Sequence, residues 1–169
     1  MNKFMLQLNL VLKRIFDICL SGISIIVLLP VWIVVSIAIK FDSKGPIIFS
    51  QKRRTKDGKI FEMYKFRSMV VDAEKMGTGL FNYANDPRVT KVGRFLRNTS
   101  IDELPQLFNV FKGDISIVGP RPCVSYELGE YETLNKKYKK RFQVKGGITG
   151  LAQARATKCA STTIICSLW

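Results

Sequence analysis

Residues 18–39 read ICLSGISIIVLLPVWIVVSIAI, 22 positions without a charged side chain. A helix rises about 1.5 Å per residue and a bilayer core needs about 20 apolar residues, so the run is long enough to cross. It is too long for the apolar region of a cleaved signal, and no small-x-small site precedes a mature domain. Pro30 sits near its middle, where it removes a backbone donor and clashes with the preceding turn. Such a proline bends a helix and leaves Ser24, Ser36 or neighbouring packing to satisfy the freed carbonyl. Lys13 and Arg14 flank one end; Lys40, Lys44, Lys52, Arg53 and Arg54 flank the other. Positive flanks stay on the cytoplasmic side. A bent helix that enters and leaves by one leaflet meets both constraints. A single span with a tolerated proline is the alternative. Upstream, Phe4, Leu8, Val11, Leu12 and Ile15 recur at helical spacing. They suit an amphipathic lead-in among lipid headgroups, or ordinary helix packing.

The whole chain has 169 residues, enough for one domain with a modest core. With 47% hydrophobic and 24% charged residues, it is neither disordered nor wholly intramembrane in character. Lys and Arg number 27 against 13 acids, a formal charge of +14. That excess points to a polyanionic partner: nucleic acid, acidic headgroups or a phosphate-rich substrate. There is no histidine, so acid–base and metal chemistry must rest on carboxylates, which favour hard ions such as Mg²⁺. The cysteines at 19, 123, 159 and 166 show no CxxC spacing and read as reduced thiols.

Beyond the apolar run, Asp42 to Pro46 is a turn and Ile47-Ile48-Phe49 opens a β-rich stretch. Lys56-Asp57-Gly58-Lys59 is a hairpin signal, and Ile60 to Phe66 is the returning strand. A helix is expected over Met69 to Met76, a loop from Gly77 to Pro87, and a further helix from about Asp102 to Lys112. Turns at Gly113-Asp114 and Gly119-Pro120-Arg121-Pro122 bracket an extended piece, Ile115 to Val118. Tyr126 to Phe142 is a charged helical stretch that leads into the loop Gly146-Gly147-Ile148-Thr149-Gly150. No internal repeat is present.

Ser100-Ile101-Asp102-Glu103-Leu104-Pro105 is the sharpest cluster. Adjacent acids cannot point the same way, so one can attack while the other holds a cation. Pro105 belongs in or near a first helical turn, which places both acids at a positive helix end that also attracts phosphate. The competing interpretation is a capping box, Ser100-x-x-Glu103, with Glu103 bonding back to the Ser100 backbone. Around the cluster lie Lys65 and Arg67 near Ser68, then Arg88, Arg94, Arg97 and Arg121. Arginine binds phosphate oxygens through a planar fork. Arg121, framed between two prolines, loses little entropy on binding. Lys56, Lys75, Lys136, Lys137, Lys139 and Lys140 read as solvated surface charge.

Taken in order, these residues resemble one family. The chain carries Lys13-Arg14-x-x-Asp17, Ser43-Lys44-Gly45-Pro46, Phe49-x-Gln51-x-Arg53 and Tyr64-Lys65-Phe66-Arg67-Ser68-Met69. It continues with Asp86-Pro87-Arg88-x-Thr90, Arg97-x-x-Ser100-x-Asp102-Glu103-Leu104-Pro105-Gln106-Leu107 and Asn109-Val110. Gly113-Asp114-x-Ser116-x-Val118-Gly119-Pro120-Arg121-Pro122 and Gly147-Ile148-Thr149-Gly150-Leu151-Ala152-Gln153 complete the set. In this it resembles the bacterial sugar transferases, the monotopic polyprenyl-phosphate phosphoglycosyl transferases.

The resemblance implies an α+β, mostly helical fold: an N-terminal re-entrant membrane helix and a small cytosolic globular domain with a short β-hairpin. Residues 1–41 would be the lead-in and the re-entrant helix broken at Pro30, 42–153 the catalytic domain and 154–169 an atypical tail. It implies transfer of a phosphosugar from a UDP-sugar to polyprenyl (undecaprenyl) phosphate. This is the first membrane step of O-antigen, capsule, exopolysaccharide, lipopolysaccharide or glycoprotein assembly. Asp102 and Glu103 are the catalytic pair, with Asp102 forming a covalent phosphosugar intermediate. Both are candidate Mg²⁺ ligands. Lys65, Arg67, Arg97 and Arg121 are the phosphate-contacting candidates. The expected place is the bacterial inner membrane with the active site facing the cytoplasm. The expected partners are the donor, the lipid acceptor, membrane lipids and either glycan-pathway enzymes or a second copy, and no nucleic acid.

The chain departs from the pattern at Gly146, where the family usually has proline, and after Gln153, where an Asn-Gly-Arg element is replaced by Ala154-Arg155-Ala156-Thr157-Lys158-Cys159. The expectation is a truncated or frame-altered end. Two rival readings follow: a catalytically inactive membrane-anchored scaffold, and a basic module that binds polyanions. No motif specifies the sugar.

Overall fold

In a computed structural model of the chain, residues 3–73, 86–124 and 139–155, with Met76 and Leu134, are described. The apolar run folds as two helices, α1 over Lys3–Val27 and α2 over Leu29–Asp42. The break falls at Leu28, and Pro30 stands in the first turn of α2, where its missing N–H is least costly. No single helix among the described residues is long and apolar enough to cross a membrane; the two together pass that test and bend by 61°.

Helix α1 is arranged inside out. Its buried side chains are Asp17 and Ser21, while Phe4, Leu8, Val11, Leu12, Ile15, Phe16, Ile23, Ile26 and Val27 lie exposed. Ser21 turns its hydroxyl onto the Asp17 carbonyl at 2.6 Å, so this polar group is satisfied within the helix. In water such an arrangement gives up about 1.5–3 kcal/mol for each large apolar side chain left exposed, so the outer face calls for an apolar solvent.

Strand β1 (Ile48–Arg54) pairs antiparallel with β2 (Ile60–Phe66) across a turn in which Asp57 and Gly58 both take positive φ, as an Asp-Gly hairpin requires. A short β4 (Cys123–Val124) adds to the other edge of β1, giving the order β2-β1-β4. Along β2, side chains alternate: Phe61 and Met63 join Val110 and Ile115 in one core cluster, and Phe66 joins Val35, Ile39 and Leu96 in another. Lys65 shares the parity of Phe61 and Met63 and so lies on their face of the sheet. Helix α3 (Lys91–Thr99) begins at Thr90, whose hydroxyl caps the Gly93 N–H at 3.0 Å. Helix α4 (Gln106–Lys112) ends at Gly113, where φ is +95° and its N–H reaches the carbonyls of Asn109 and Val110. Strand β3 (Ser116–Val118) then runs parallel to β5 (Gly147–Thr149), and a last short helix, α5, covers Leu151–Arg155. The hairpin, the extended piece before Gly119 and the α+β class match the expectations from sequence.

Three expectations need correction. The helix over Met69–Met76 does not form: Met69 bridges Val89 and residues 71–73 form a turn, with Asp72 at φ +60°. The helix at Asp102 is divided: Ile101–Glu103 is a single 3₁₀ turn, and α4 starts only after Pro105, as proline's intolerance of interior positions dictates. There is no capping box. Ser100 is left-handed at φ +61° with no side-chain cap, because it ends α3 as much as it begins the next turn. Of the charged stretch 126–142, Lys140–Gln143 is a 3₁₀ turn and the rest lies almost wholly outside the described residues, as does most of the tail 154–169.

Candidate active site

Asn109 builds the floor of the site. Completely buried, it accepts the Tyr64 N–H at 3.0 Å and donates to the Glu62 carbonyl at 2.7 Å and to Asp114 at 3.1 Å. One side chain thus bonds α4 to the free edge of β2, satisfying backbone groups that would otherwise be orphaned. With α4 fixed against β2, the 3₁₀ turn before it brings Glu103 to Lys65.

Glu103 Oε1 receives two cations, Lys65 Nζ at 2.9 Å and Arg121 Nη2 at 2.8 Å. Burial alone would raise its pKa, but the two cations outweigh burial and hold it down at about 2. Burial also lowers the Lys65 pKa, against the pull of Glu103. Asp102 differs. Only 8% of it is exposed, and no N–H or O–H among the described residues donates to its carboxylate. Burial pushes its pKa up, while Lys65, Arg97 and Arg121 pull back through space. A carboxylate that takes no hydrogen bond from the described residues and feels three cations through space retains the basicity and lone pairs that a nucleophile needs.

Arg121 is held from behind. Its carbonyl accepts Arg141 Nη2 at 2.7 Å, and the Pro122 carbonyl accepts Arg53 Nη1 at 3.2 Å. Both supporting arginines are buried. Sequence reasoning placed Arg141 in a charged helical stretch, and gave Arg53 a place in the family pattern and beside the apolar run but no role at the site. Nothing local marks a basic residue that will back a loop from beneath. Arg97 directs Nε to Ser68 Oγ at 2.8 Å.

The structure brings Asp102, Glu103, Lys65, Arg97 and Arg121 together. It does not bring Arg67 with them. That guanidinium is buried and donates to Ser43 O at 2.6 Å, Ser43 Oγ at 3.0 Å and Ile39 O at 3.4 Å, closing the end of α2. Arg88 is also structural, enclosing Asp86 and donating to the carbonyls of Ala73 and Met76.

The dyad suits a hard cation. Two adjacent carboxylates, in a chain without histidine, form an all-oxygen donor set. No group of three potential ligands occurs among the described residues. Mg²⁺ uses one or two carboxylates, retains waters and takes the rest of its shell from substrate phosphate, so the residues present fit it.

Comparison with known proteins gives a consistent result. The sequence matches the family model described as bacterial sugar transferase over residues 8–166, extending past Gln153. It is 46% identical to a UDP-glucose:undecaprenyl-phosphate glucose-1-phosphate transferase of Klebsiella pneumoniae, over 93% of this chain and 34% of that protein. It is 44% identical to an undecaprenyl-phosphate galactose phosphotransferase of Salmonella typhimurium, over 84% of this chain and 32% of that protein. An exopolysaccharide production protein of Rhizobium leguminosarum is 44% identical over 89% of this chain and 77% of its own length. The chain spans about a third of the length of the first two.

Proposed function

The chain belongs to the bacterial sugar transferase family, and on that premise we propose that it moves a sugar 1-phosphate from a UDP-sugar to polyprenyl phosphate at the cytoplasmic face of a membrane. The observation that carries the reading is the pairing of a buried Asp102, whose carboxylate takes no hydrogen bond from the described residues, with a Glu103 that already gathers Lys65 and Arg121.

Asp102 attacks the β-phosphorus of the donor. The bond from that phosphorus to the bridging oxygen breaks, and UMP departs with the electron pair. The sugar phosphate is left on the carboxylate as a mixed anhydride. A phosphate oxygen of the lipid then attacks the same phosphorus, the Asp102 carboxylate leaves, and a polyprenyl diphosphate sugar results. No general base is needed, because both nucleophiles attack as anions with no proton to lose, which suits a chain without histidine. Lys65 and Arg121 stabilise charge building on the phosphoryl oxygens. The donor competes with Glu103 for these two cations, and its diphosphate releases the Glu103 carboxylate. Magnesium, when bound by Asp102 and Glu103, supplies further neutralisation of the diphosphate.

The acceptor dictates the location. Its chain lies in the bilayer, and the exposed apolar faces of α1 and α2, bent at Leu28, suit a hairpin that dips into one leaflet. A hairpin seated in this way would let a lipid phosphate reach the dyad. The test is UMP release from UDP-glucose, UDP-galactose and UDP-N-acetylhexosamines, with polyprenyl phosphate in anionic vesicles, with and without Mg²⁺. Turnover that requires both lipid and Asp102 is expected. Vesicle binding without UMP release from any donor overturns the proposal and favours a membrane-anchored scaffold.

A further inference from the structure

Ser68 stands two residues past the end of β2 and is 8% exposed. Its two oxygens hold α3 at separate places. The carbonyl accepts the Thr90 N–H at 3.2 Å, at the residue that caps the helix. The hydroxyl accepts Arg97 Nε at 2.8 Å, seven residues further on. Helical side chains lean towards the N-terminus, and a long arginine can cover that distance. The approach is too close for any side chain between them: a Cβ on Gly93 would stand 2.0 Å from the Ser68 carbonyl oxygen. On either side, Val70 N–H bonds the Arg88 carbonyl at 2.9 Å and Met69 bridges Val89. Helix α3 is therefore fixed in height and in rotation against the strand that carries Lys65.

We infer that Ser68 is a positioning residue, which aims the Arg97 guanidinium at the Asp102 carboxylate and ties it to the Lys65 strand. This rests on the transferase reading of the dyad and adds a residue to which that reading assigns no role. A guanidinium turns about its Cδ–Nε bond, and the Nε–H lies in the guanidinium plane and points away from that axis. A hydrogen bond at Nε therefore sets the plane. Arg97 then meets developing phosphoryl charge with its orientation already set, so the entropy of that ordering is lost on folding, before the transition state forms.

The full chain in vesicles is compared as wild type, Ser68→Ala, Ser68→Thr, Arg97→Ala and Ser68→Ala with Arg97→Ala. Ser68→Ala is expected to lower kcat by about tenfold with KM within about twofold, the pattern of an interaction made in the transition state. Ser68→Thr, which keeps the hydroxyl, restores kcat. In the Arg97→Ala background the serine substitution adds no further loss, because the two side chains act as one unit. An effect of Ser68→Ala that persists undiminished without Arg97 overturns the inference, as does a Ser68→Ala variant with wild-type turnover. A second reading does not depend on turnover. In ¹⁵N spectra of the detergent-solubilised chain, the Arg97 Nε–H exchanges slowly in wild type and Ser68→Thr and becomes fast in Ser68→Ala. An unchanged exchange rate in Ser68→Ala sinks the inference. If the wild type releases no UMP with any donor, the transferase reading fails and the exchange measurement alone decides the brace.

Discussion

Asp17 and Asp102 are both buried carboxylates in a strongly cationic chain, yet their surroundings are opposite. Asp17 takes the Ser116 hydroxyl at 2.7 Å and the Ile117 N–H at 3.1 Å, with Lys13 Nζ 3.6 Å away. Lys13 also donates to Ser116 Oγ and to the Val118 carbonyl, and Arg14 caps α4 through the carbonyls of Val110 and Phe111. That carboxylate is met by donors in contact and joins α1 to β3, while Arg14 joins α1 to α4. Asp102 receives charge from a distance and hydrogen bonds from none of the described residues. Donors in contact mark the carboxylate that holds the fold together, and their absence among the described residues marks the one kept available for chemistry. A chain can bury both because each is offset by different groups: donors in contact for the first, cations across a gap for the second.

The largest predicted effect tests that contrast directly. Asp102→Asn should lower UMP release by at least about 10³-fold, because an amide cannot form the covalent intermediate. Folding stability should hold or rise, since a neutral group is easier to bury than one whose ionised form is disfavoured there. Chemical denaturation beside the turnover assay checks both halves. A variant that retains turnover removes Asp102 from the reaction.

The next effect falls on stability. Asp17→Asn leaves the Ser116 hydroxyl and the Ile117 N–H competing for one remaining carbonyl oxygen, and leaves Lys13 without its counter-charge. It should cost about 2–3 kcal/mol, while kcat for each folded molecule falls less than about threefold. Denaturant midpoints measured together with active-site titration distinguish the two. A stable Asp17→Asn chain that loses turnover would reverse the contrast.

Arg121→Lys retains the charge and loses the fork. One nitrogen cannot hold Glu103 and a phosphoryl oxygen in the planar geometry of a guanidinium, so kcat/KM should fall about tenfold, with stability changed by less than about 1 kcal/mol. Equal efficiency would mean that Arg121 acts as a point charge only.

Sequence reading went furthest where pattern and geometry share a period. The Asp-Gly turn, the alternation along β2 and the uncharged run each encode their structure in neighbouring positions. Asp102, Glu103, Lys65, Arg97 and Arg121 were legible as a set because the family pattern spans them. Arg67 belongs to the same family pattern and also stands beside a serine, but neither pattern nor residue type says where a side chain points. Two residues after Lys65, it faces the end of α2. The capping box at Ser100 was a sound local inference that lost to context. Glu103 had stronger partners in Lys65 and Arg121, both remote in sequence, and Ser100 was already needed in the left-handed conformation to close α3. Arg141 and Asn109 hold the site through hydrogen bonds to backbone remote in sequence, which leave no trace in local spacing.

The finest test of the contrast is one of pH, because the pKa values of Asp86 and Asp102 are shifted in opposite directions. Asp86 takes Arg88 Nη2 at 2.6 Å and Nε at 2.9 Å, and these hydrogen bonds, outweighing burial, hold its pKa below the ordinary 3.8. A depressed folded value means that the ion pair contributes stability at every pH above the unfolded value and loses it as pH falls through the folded one. Stability from this pair should therefore be flat from pH 7 to about 4 and decline only in stronger acid. Asp102 has its pKa raised by burial, so the carboxylate that attacks becomes protonated at a higher pH than an ordinary aspartate. The acid limb of kcat should appear while the protein is still fully folded. Paired measurements of turnover and unfolding between pH 7 and 4 separate the two curves. If they fall together, acid stops the reaction by loosening the fold, and the distinction between a carboxylate met by donors and an available one does not hold at Asp102.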